Sequence, residues 1–245
     1  MNRSIWLAVA VVLVFAVILI ARLPAAWVLS KPGSDLSCAD TAGTIWNGTC
    51  TGMVVQHQPI GDLNWEVHAW RLLSAKFAAT VLLTRAAGVA RGTVEVGFGG
   101  HLTGHDIHVD LPLDPRVMPQ LPPNLSGSVQ ANLSSIQMKG NTVTAVEGEV
   151  QALNLQLGTG PGAEPLGSYS LTFSPSSGAP IGQLRDLGGP LQVEGTLRLT
   201  PEPGFDLQSL VKPRANAPEA LTRDIQFLGS PDAQGRRPFA LAASF

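Results

Sequence analysis

Apolar and polar residues alternate with a period of two through much of this 245-residue chain, and no other feature constrains the fold as strongly. Successive side chains of a strand point to opposite faces of a sheet, so this alternation is typical of strands with one buried face. Seven segments show it: residues 63–69, 93–98, 106–111, 129–133, 153–157, 191–199 and 239–245. The sequence therefore predicts an all-β body built from a curved, mostly antiparallel sheet.

Four of the alternating runs follow a glycine, at Gly92, Gly127, Gly148 and Gly195. Their separations are unequal, which argues against a solenoid repeat. Glycine permits a turn, a bulge or a bend, so we expect each of these residues to lie where a strand begins.

Helices are scarce in the body. Three segments could form short ones: Ala69–Ala75, which lacks breakers, Ile181–Leu187, and Ala217–Leu228, which follows Pro213 and has Pro218 in its first turn.

The N-terminus carries a different signal, the uncharged and mostly aliphatic run Ile5–Ala21. Crossing a bilayer takes roughly 20 helical residues, and the apolar residues that follow Arg22 extend the run far enough. We therefore expect a single transmembrane helix in contact with the lipid bilayer through residues 5–29. The domains are then an anchor over residues 1–30 and a β-rich domain over residues 31–245. The alternative is a cleavable signal peptide that ends near Ala26.

The chain has two cysteines, Cys38 and Cys50, close together near the predicted anchor. We predict a disulfide between them, and disulfides persist in oxidising compartments, which favours a periplasmic body. Two alternatives remain open: a pair of reduced, buried cysteines, and a zinc site, although the further ligands of a structural zinc site are missing.

Composition and motifs narrow the class of function. Charged residues make up 14% of the chain and the net charge is −2, so there is no basic field to attract nucleic acid, and we exclude that partner. No nucleophile elbow, phosphate-binding loop or His-Glu-x-x-His helix is present. We expect no catalytic residue, no metal and no cofactor.

The densest titratable cluster is formed by His101, His105 and His108, with Asp106 and Asp110 between and after them. A helix would place the three histidines on one face and could hold a metal. The local pattern is that of a strand, in which His101 and His105 share one face and His108 points to the other. We interpret the cluster as a solvated polar face.

Tryptophan is confined to the first 70 residues of the chain. We expect Trp46, Trp65 and Trp70 to belong to the core and not to a platform for a ligand.

Four stretches together carry a resemblance to a known family. Ala21–Trp27 follows the apolar run, and the string Gly43–Gly48 (GTIWNG) precedes Ile60–Trp65 and then Trp70–Leu73. With a single anchor and this total length, the order resembles the protein N family of the bacterial type II secretion system. The similarity covers residues 1 to about 80 well and is looser beyond them. Cys38 and Cys50 are not taken from the family.

The resemblance implies a non-enzymatic, single-pass inner-membrane component of the secretion apparatus with a periplasmic β-rich domain. Its implied partners are other inner-membrane or periplasmic components of that apparatus. A second hypothesis comes from the one-faced alternation itself, because a curved sheet with few helices leaves an apolar face to cover. In that case the protein is a membrane-anchored periplasmic lipid-transfer or amphiphile-binding module.

Overall fold

The computed structural model describes residues 3–29, 36–55, 58–74, 76–85, 88–97, 99–113, 122–158, 162–175 and 178–244. The chain divides into two compact units, Met1–Arg85 and Ala86–Phe245. The predicted boundary between anchor and body, at residues 30 and 31, lies outside the described residues, as do Ala75 and Phe245. The division into an anchor over residues 1–30 and a body over residues 31–245 stays a prediction.

The first unit combines two helices with five strands. Helix α1 spans Arg3–Ala21 and α2 spans Ala26–Leu29. The strands are β1 (Leu36–Ser37), β2 (Asp40–Gly43), β3 (Asn47–Val55), β4 (Gln58–Val67) and β5 (Phe77–Arg85). Strand β3 pairs antiparallel with β1, β2 and β4, and β4 pairs with β5. The short helix predicted at Ala69–Ala75 is a 3-10 helix over Ala69–Ser74.

The structure bears on two parts of the anchor prediction, the presence of a helix and its ability to cross a membrane. Helix α1 forms where the sequence predicts a helix. In the part of the chain that the structure describes, however, no helix combines the length and the apolarity that a bilayer crossing requires. The anchor over residues 5–29 is therefore not established and stays a prediction.

The second unit is an antiparallel meander in which each strand pairs with the next one along the chain. Its strands are β6 (Gly88–Val96), β7 (His101–Pro112), β8 (Leu125–Lys139), β9 (Thr142–Leu157), β10 (Glu164–Phe173), β11 (Ile181–Asp186), β12 (Leu191–Leu199), β13 (Gly204–Pro213) and β14 (Arg237–Ser244). Helix α3 (Glu219–Ile225) lies between β13 and β14 in the chain.

The predicted all-β, antiparallel class is confirmed, since every described strand pairing is antiparallel and each of the seven alternating segments overlaps a strand. The curvature of the sheet stays a prediction. Helix α3 lies inside the predicted segment Ala217–Leu228, with Pro218 as its N-cap residue. The helix predicted at Ile181–Leu187 is wrong. These residues form β11, because the pairing with β10 and β12 satisfies their backbone groups along both edges.

The four glycines that precede alternating runs lie inside strands, so the expectation that they mark strand starts is wrong. Gly127 and Gly148 have φ of +151° and +131° and lie at or opposite shifts in the register between β8 and β9, where the chain bulges. Gly195 lies in the middle of β12, where the register is regular. Its role is in packing, because an added Cβ would lie 2.6 Å from Cβ of Ser209 on β13.

The strand register sorts side chains onto two faces in the second unit. Residues opposite one another in paired strands share a face, so rows of side chains cross the sheet. One row is mostly apolar: Val150, Leu171, Leu184, Gly195, Ser209 and Phe239. The neighbouring row, on the opposite face, is polar: Glu149, Thr172, Gln183, Thr196 and Gln208. Helix α3 covers part of the apolar face, where Ile225 packs with the buried Val193 and Val211.

Candidate functional site

The C-terminal end of α1 is bonded to the turn between β2 and β3. The indole nitrogen Nε1 of Trp46 donates a hydrogen bond of 2.8 Å to the carbonyl oxygen of Ile20, in the last turn of α1. The backbone amide of Ile45 donates to the carbonyl of Leu23 at 3.0 Å. The amide of the buried Ala25 donates to the carbonyl of Gly43 at 3.2 Å. The Ile20 carbonyl also accepts the amide of Leu23 at 3.3 Å, so Trp46 gives this carbonyl at the end of the helix a second and shorter hydrogen bond. We call this contact, between residues 20–25 and 43–48, the junction.

A glycine with positive φ and hydrogen bonds between neighbouring residues shape the turn that forms the junction. Gly43 has φ of +88°, and a Cβ there would overlap the carbonyl oxygen of Asn47. The Thr44 hydroxyl oxygen accepts the backbone amides of Trp46 and Asn47, each at 3.2 Å. The amide of Thr44 donates to the carbonyl of Asn47 at 2.8 Å. These bonds hold the turn so that the Trp46 ring is aimed at the end of α1.

The tryptophans divide between the junction and the surface. Trp65 is half-buried, its ring packs against Gly48, and its Nε1 donates to the carbonyl of Ile45 at 3.2 Å. Trp46 is also half-buried. The prediction that Trp70 belongs to the core is wrong, because Trp70 is 65% exposed on the 3-10 helix, with the Arg71 guanidinium 5.1 Å from its ring centroid.

The two predicted site residues lie together beside the junction. Cys38 and Cys50 form a disulfide with their Cα atoms 5.5 Å apart. Cys50 is 1% exposed on β3, and the amide of Ala39 donates to the carbonyl of Thr51 at 2.9 Å. The disulfide thus fastens the segment between β1 and β2 to the central strand of the first unit.

The histidine cluster lies on β7, and one expectation about it needs correction. An added Cβ at Gly104 would meet the Ile107 side chain, so these two residues share a face although they are three positions apart. The cause is a bulge at Asp106, which has φ of 50°, next to a register shift between β6 and β7. The bulge places His108 on the same face as His101 and His105, whereas the sequence predicts the opposite face.

Sharing a face does not make these histidines a metal site. Strand geometry separates His105 from His108 by about 10 Å and His101 from His108 by about 20 Å. Within the described ranges, no group of three or more His, Cys, Asp or Glu residues is placed to hold a metal ion. His108 instead shares a 2.8 Å hydrogen bond between its Nδ1 and the Oδ1 of Asn132 on the exposed polar face.

The second unit contains an ion pair that sequence reasoning missed. Arg214 Nη2 lies 2.7 Å from Asp186 Oδ1, and its Nη1 donates to the carbonyls of Gly189 and Leu191, both at 3.1 Å. Asp186 also accepts the amides of Gly188 and Val193. Burial disfavours the charged carboxylate, but the bonds from Arg214 and the two amides outweigh it and hold the pKa of Asp186 below its usual value. The partners are 28 residues apart, so no local pattern could reveal them.

Tyr169, the single tyrosine of the chain, lies next to this ion pair. Its hydroxyl donates to the carbonyl of Leu166 at 2.6 Å. The pKa of Tyr169 is raised from 10.0 to about 12, chiefly by burial and then by the negative charge of Asp186, while the positive charge of Arg214 opposes the rise.

An alkaline titration of the tyrosine absorbance should therefore show phenolate forming near pH 12 in the folded protein. The same chain in urea should titrate near the ordinary value of 10.0. The pKa is raised on folding, so the stability that the protonated phenol contributes is present below about pH 10 and is lost as the pH rises toward the folded pKa. A folded-state titration at the ordinary pKa would contradict the burial of Tyr169 described above.

Comparison with known proteins shows which protein family the chain matches. The sequence profile of the family described as "Type II secretion system (T2SS), protein N" matches residues 34–240. A protein of Aeromonas hydrophila named "Type II secretion system protein N" is 26% identical, over 97% of each chain. A protein of Vibrio cholerae serotype O1 with the same name is 27% identical, over 80% of each chain. No solved structure matches the chain.

Proposed function

The chain belongs to the type II secretion system protein N family, and from that membership we propose that it is a membrane-anchored periplasmic component of the apparatus. The family is a non-enzymatic part of the secretion machinery. In the proposal, residues 5–29 anchor the chain in the inner membrane as a single span, and residues 31–245 lie in the periplasm. The β-rich body then binds other inner-membrane or periplasmic components during protein export across the outer membrane.

The junction is the observation that carries this proposal. Three hydrogen bonds join residues 20–25 to the turn 43–48, and one of them reaches a carbonyl in the last turn of α1. A body attached by a flexible tether would need no such bonds. With α1 in the bilayer, the junction would hold the first unit at a fixed place beside the membrane surface, where it could present a constant surface to neighbouring components.

The disulfide supports the periplasmic location. A disulfide next to the junction joins Cys38, between β1 and β2, to Cys50 on β3. Disulfides of this structural kind form and persist in the periplasm and are rare in the bacterial cytoplasm. The described residues contain no free cysteine that would point to a reducing compartment.

A topology experiment tests the proposal. Alkaline phosphatase, which is active only after export, is fused after Phe245 in the full chain. We expect an active fusion in the inner-membrane fraction, with a mature N-terminus upstream of Ala26. The matched control lacks residues 3–29 and should be inactive. An inactive full-length fusion would overturn the orientation, and a processed N-terminus would overturn the anchor.

Complementation then tests whether anchoring matters to export. In a deletion strain, the intact chain should restore secretion into the medium. A chain whose first 29 residues are replaced by a cleavable signal peptide should reach the periplasm at normal abundance but restore secretion poorly, because the body is no longer held at the membrane. Full secretion by the released body would contradict the proposed role of the anchor.

A further inference from the structure

The apolar face of the second unit contains a cavity of about 380 Å³ beside α3. Strands β10 to β14 form its floor, and Ile225 and Leu228 form the wall on the side of α3. Among the floor residues are Leu184, Val193, Val211 and Phe239. Small-molecule sites in proteins have volumes of about 300 to 1,000 Å³ and mostly apolar linings, so this cavity has the size and the character of a binding site.

The register places a small side chain, Ser209, between larger ones in the floor. The row that crosses the sheet here has large side chains at its ends, Leu184 and Phe239, and small ones in its middle, Gly195 and Ser209. An added Cβ at Gly195 would lie 2.6 Å from Cβ of Ser209 and would overlap the Gln208 carbonyl oxygen. The close approach of β12 and β13 therefore requires glycine at this position, and of these four residues Leu184, Ser209 and Phe239 line the cavity.

The lining suits hydrocarbon and not water. Its surface is almost entirely apolar. The two hydroxyl groups on it already donate hydrogen bonds to backbone carbonyls, Tyr169 to Leu166 at 2.6 Å and Ser209 to Phe239 at 3.2 Å. A buried water needs two to four polar partners, and this lining offers too few of them.

A cationic side chain, Arg237, is a neighbour of two residues that line the cavity, Val211 and Leu228. Arg237 is the register partner of Val211, and its Nη1 donates to the carbonyls of Gln226 and Gly229, on either side of Leu228. In the described part of the chain, no carboxylate forms an ion pair with Arg237. The nearby Arg214 differs, because Asp186 neutralises it. The register with Val211 and the bonds on either side of Leu228 therefore put the positive charge of Arg237 next to residues that line the apolar cavity.

We propose that this cavity binds the hydrocarbon chain of a long-chain carboxylate, with the carboxylate group held by Arg237. Burial of the hydrocarbon chain supplies the binding energy. The guanidinium and carboxylate can form charge-assisted hydrogen bonds, which select an acid over a neutral alcohol of equal length. The site is formed by residues of the second unit alone and does not depend on the role in secretion.

The test uses the full chain in bacterial membranes and a palmitic acid analogue that carries a diazirine in its tail and an alkyne for detection. After illumination, cross-links should map to peptides that contain Ile225, Leu228 or Phe239. Ser209→Leu fills part of the cavity and should reduce these cross-links about tenfold. Gln208→Leu adds a similar side chain on the opposite face, next to it in sequence, and should leave them unchanged.

Competition identifies the headgroup and needs no variant. Unlabelled palmitic acid should displace the probe about five to ten times more effectively than hexadecanol, and Arg237→Gln should remove that preference. Titration of Tyr169 shows whether each variant is folded. If Ser209→Leu does not fold, the mapped cross-links and the competition in the unaltered chain still test the proposed site. The proposal is overturned if cross-links fall outside the cavity, if the two leucine variants behave alike, or if acid and alcohol compete equally.

Discussion

Replacing Trp65 by alanine is expected to lower the free energy of unfolding of the first unit by about 3 kcal/mol. The ring packs against Gly48, its register partner on β3, and its Nε1 donates to the carbonyl of Ile45 in the junction turn. Alanine removes this packing and leaves the Ile45 carbonyl without its side-chain partner. A loss of this size is a large part of the stability of a small unit.

Urea denaturation of the solubilised full chain measures this effect. All five tryptophans lie in the first unit, so their fluorescence reports on that unit alone, and Trp46 remains as a reporter in the variant. Trp70→Ala is the matched control, because Trp70 is 65% exposed and contacts only the Arg71 guanidinium among the interactions described for its ring. It should change the free energy by no more than about 1 kcal/mol. Equal effects of the two substitutions would contradict the packing of Trp65.

Loss of the disulfide is expected to have a similar effect on the same unit. Cys38 and Cys50 are 12 residues apart in sequence, and closing a loop of that length contributes about 3 kcal/mol in the chain-entropy account. The unit should therefore unfold at lower urea after replacement of both cysteines by serine. Tryptophan fluorescence again gives the measurement.

Two controls separate the disulfide from the side chains that form it. Cys50 is 1% exposed, so serine also buries a hydroxyl group, and the unaltered chain in reductant shows the effect of the bond alone. Thiol labelling of the denatured, unreduced chain should find no reactive cysteine. Full labelling of either residue would contradict the disulfide and remove its support for a periplasmic body. A reduced chain as stable as the oxidised one would contradict the stabilisation expected from the bond.

The family and the fold class could both be predicted from the sequence. Period-two alternation depends only on neighbouring residues and predicts strands wherever one face is buried, which is why all seven segments overlap strands. Pro218, as a residue favoured at the start of a helix, predicted α3 from local sequence in the same way. The order of the strings Gly43–Gly48, Ile60–Trp65 and Trp70–Leu73, taken with the apolar N-terminal run, Ala21–Trp27 and the total length, indicated the family that the profile match shows.

Other features required partners that are distant in the sequence. The segment Ile181–Leu187 is a strand because β10 and β12 pair with it on both sides. The bulge at Asp106 turns His108 to the face of His101, and a one-residue irregularity of this kind reverses every later side chain without changing the local composition.

The junction, the ion pair and the cavity also depend on residues that are distant from one another in the sequence. The bond from Trp46 to Ile20 spans 26 residues and the ion pair of Asp186 with Arg214 spans 28, so neither leaves a local pattern. The cavity beside α3 is lined by residues that become neighbours only through strand register, Val193 with Val211 and Ser209 with Phe239. The sequence by itself determined that the seven alternating segments form strands and which family the chain resembles, because both depend on local order. Only the tertiary structure decided which side chains meet, because strand register joins residues that no local pattern connects.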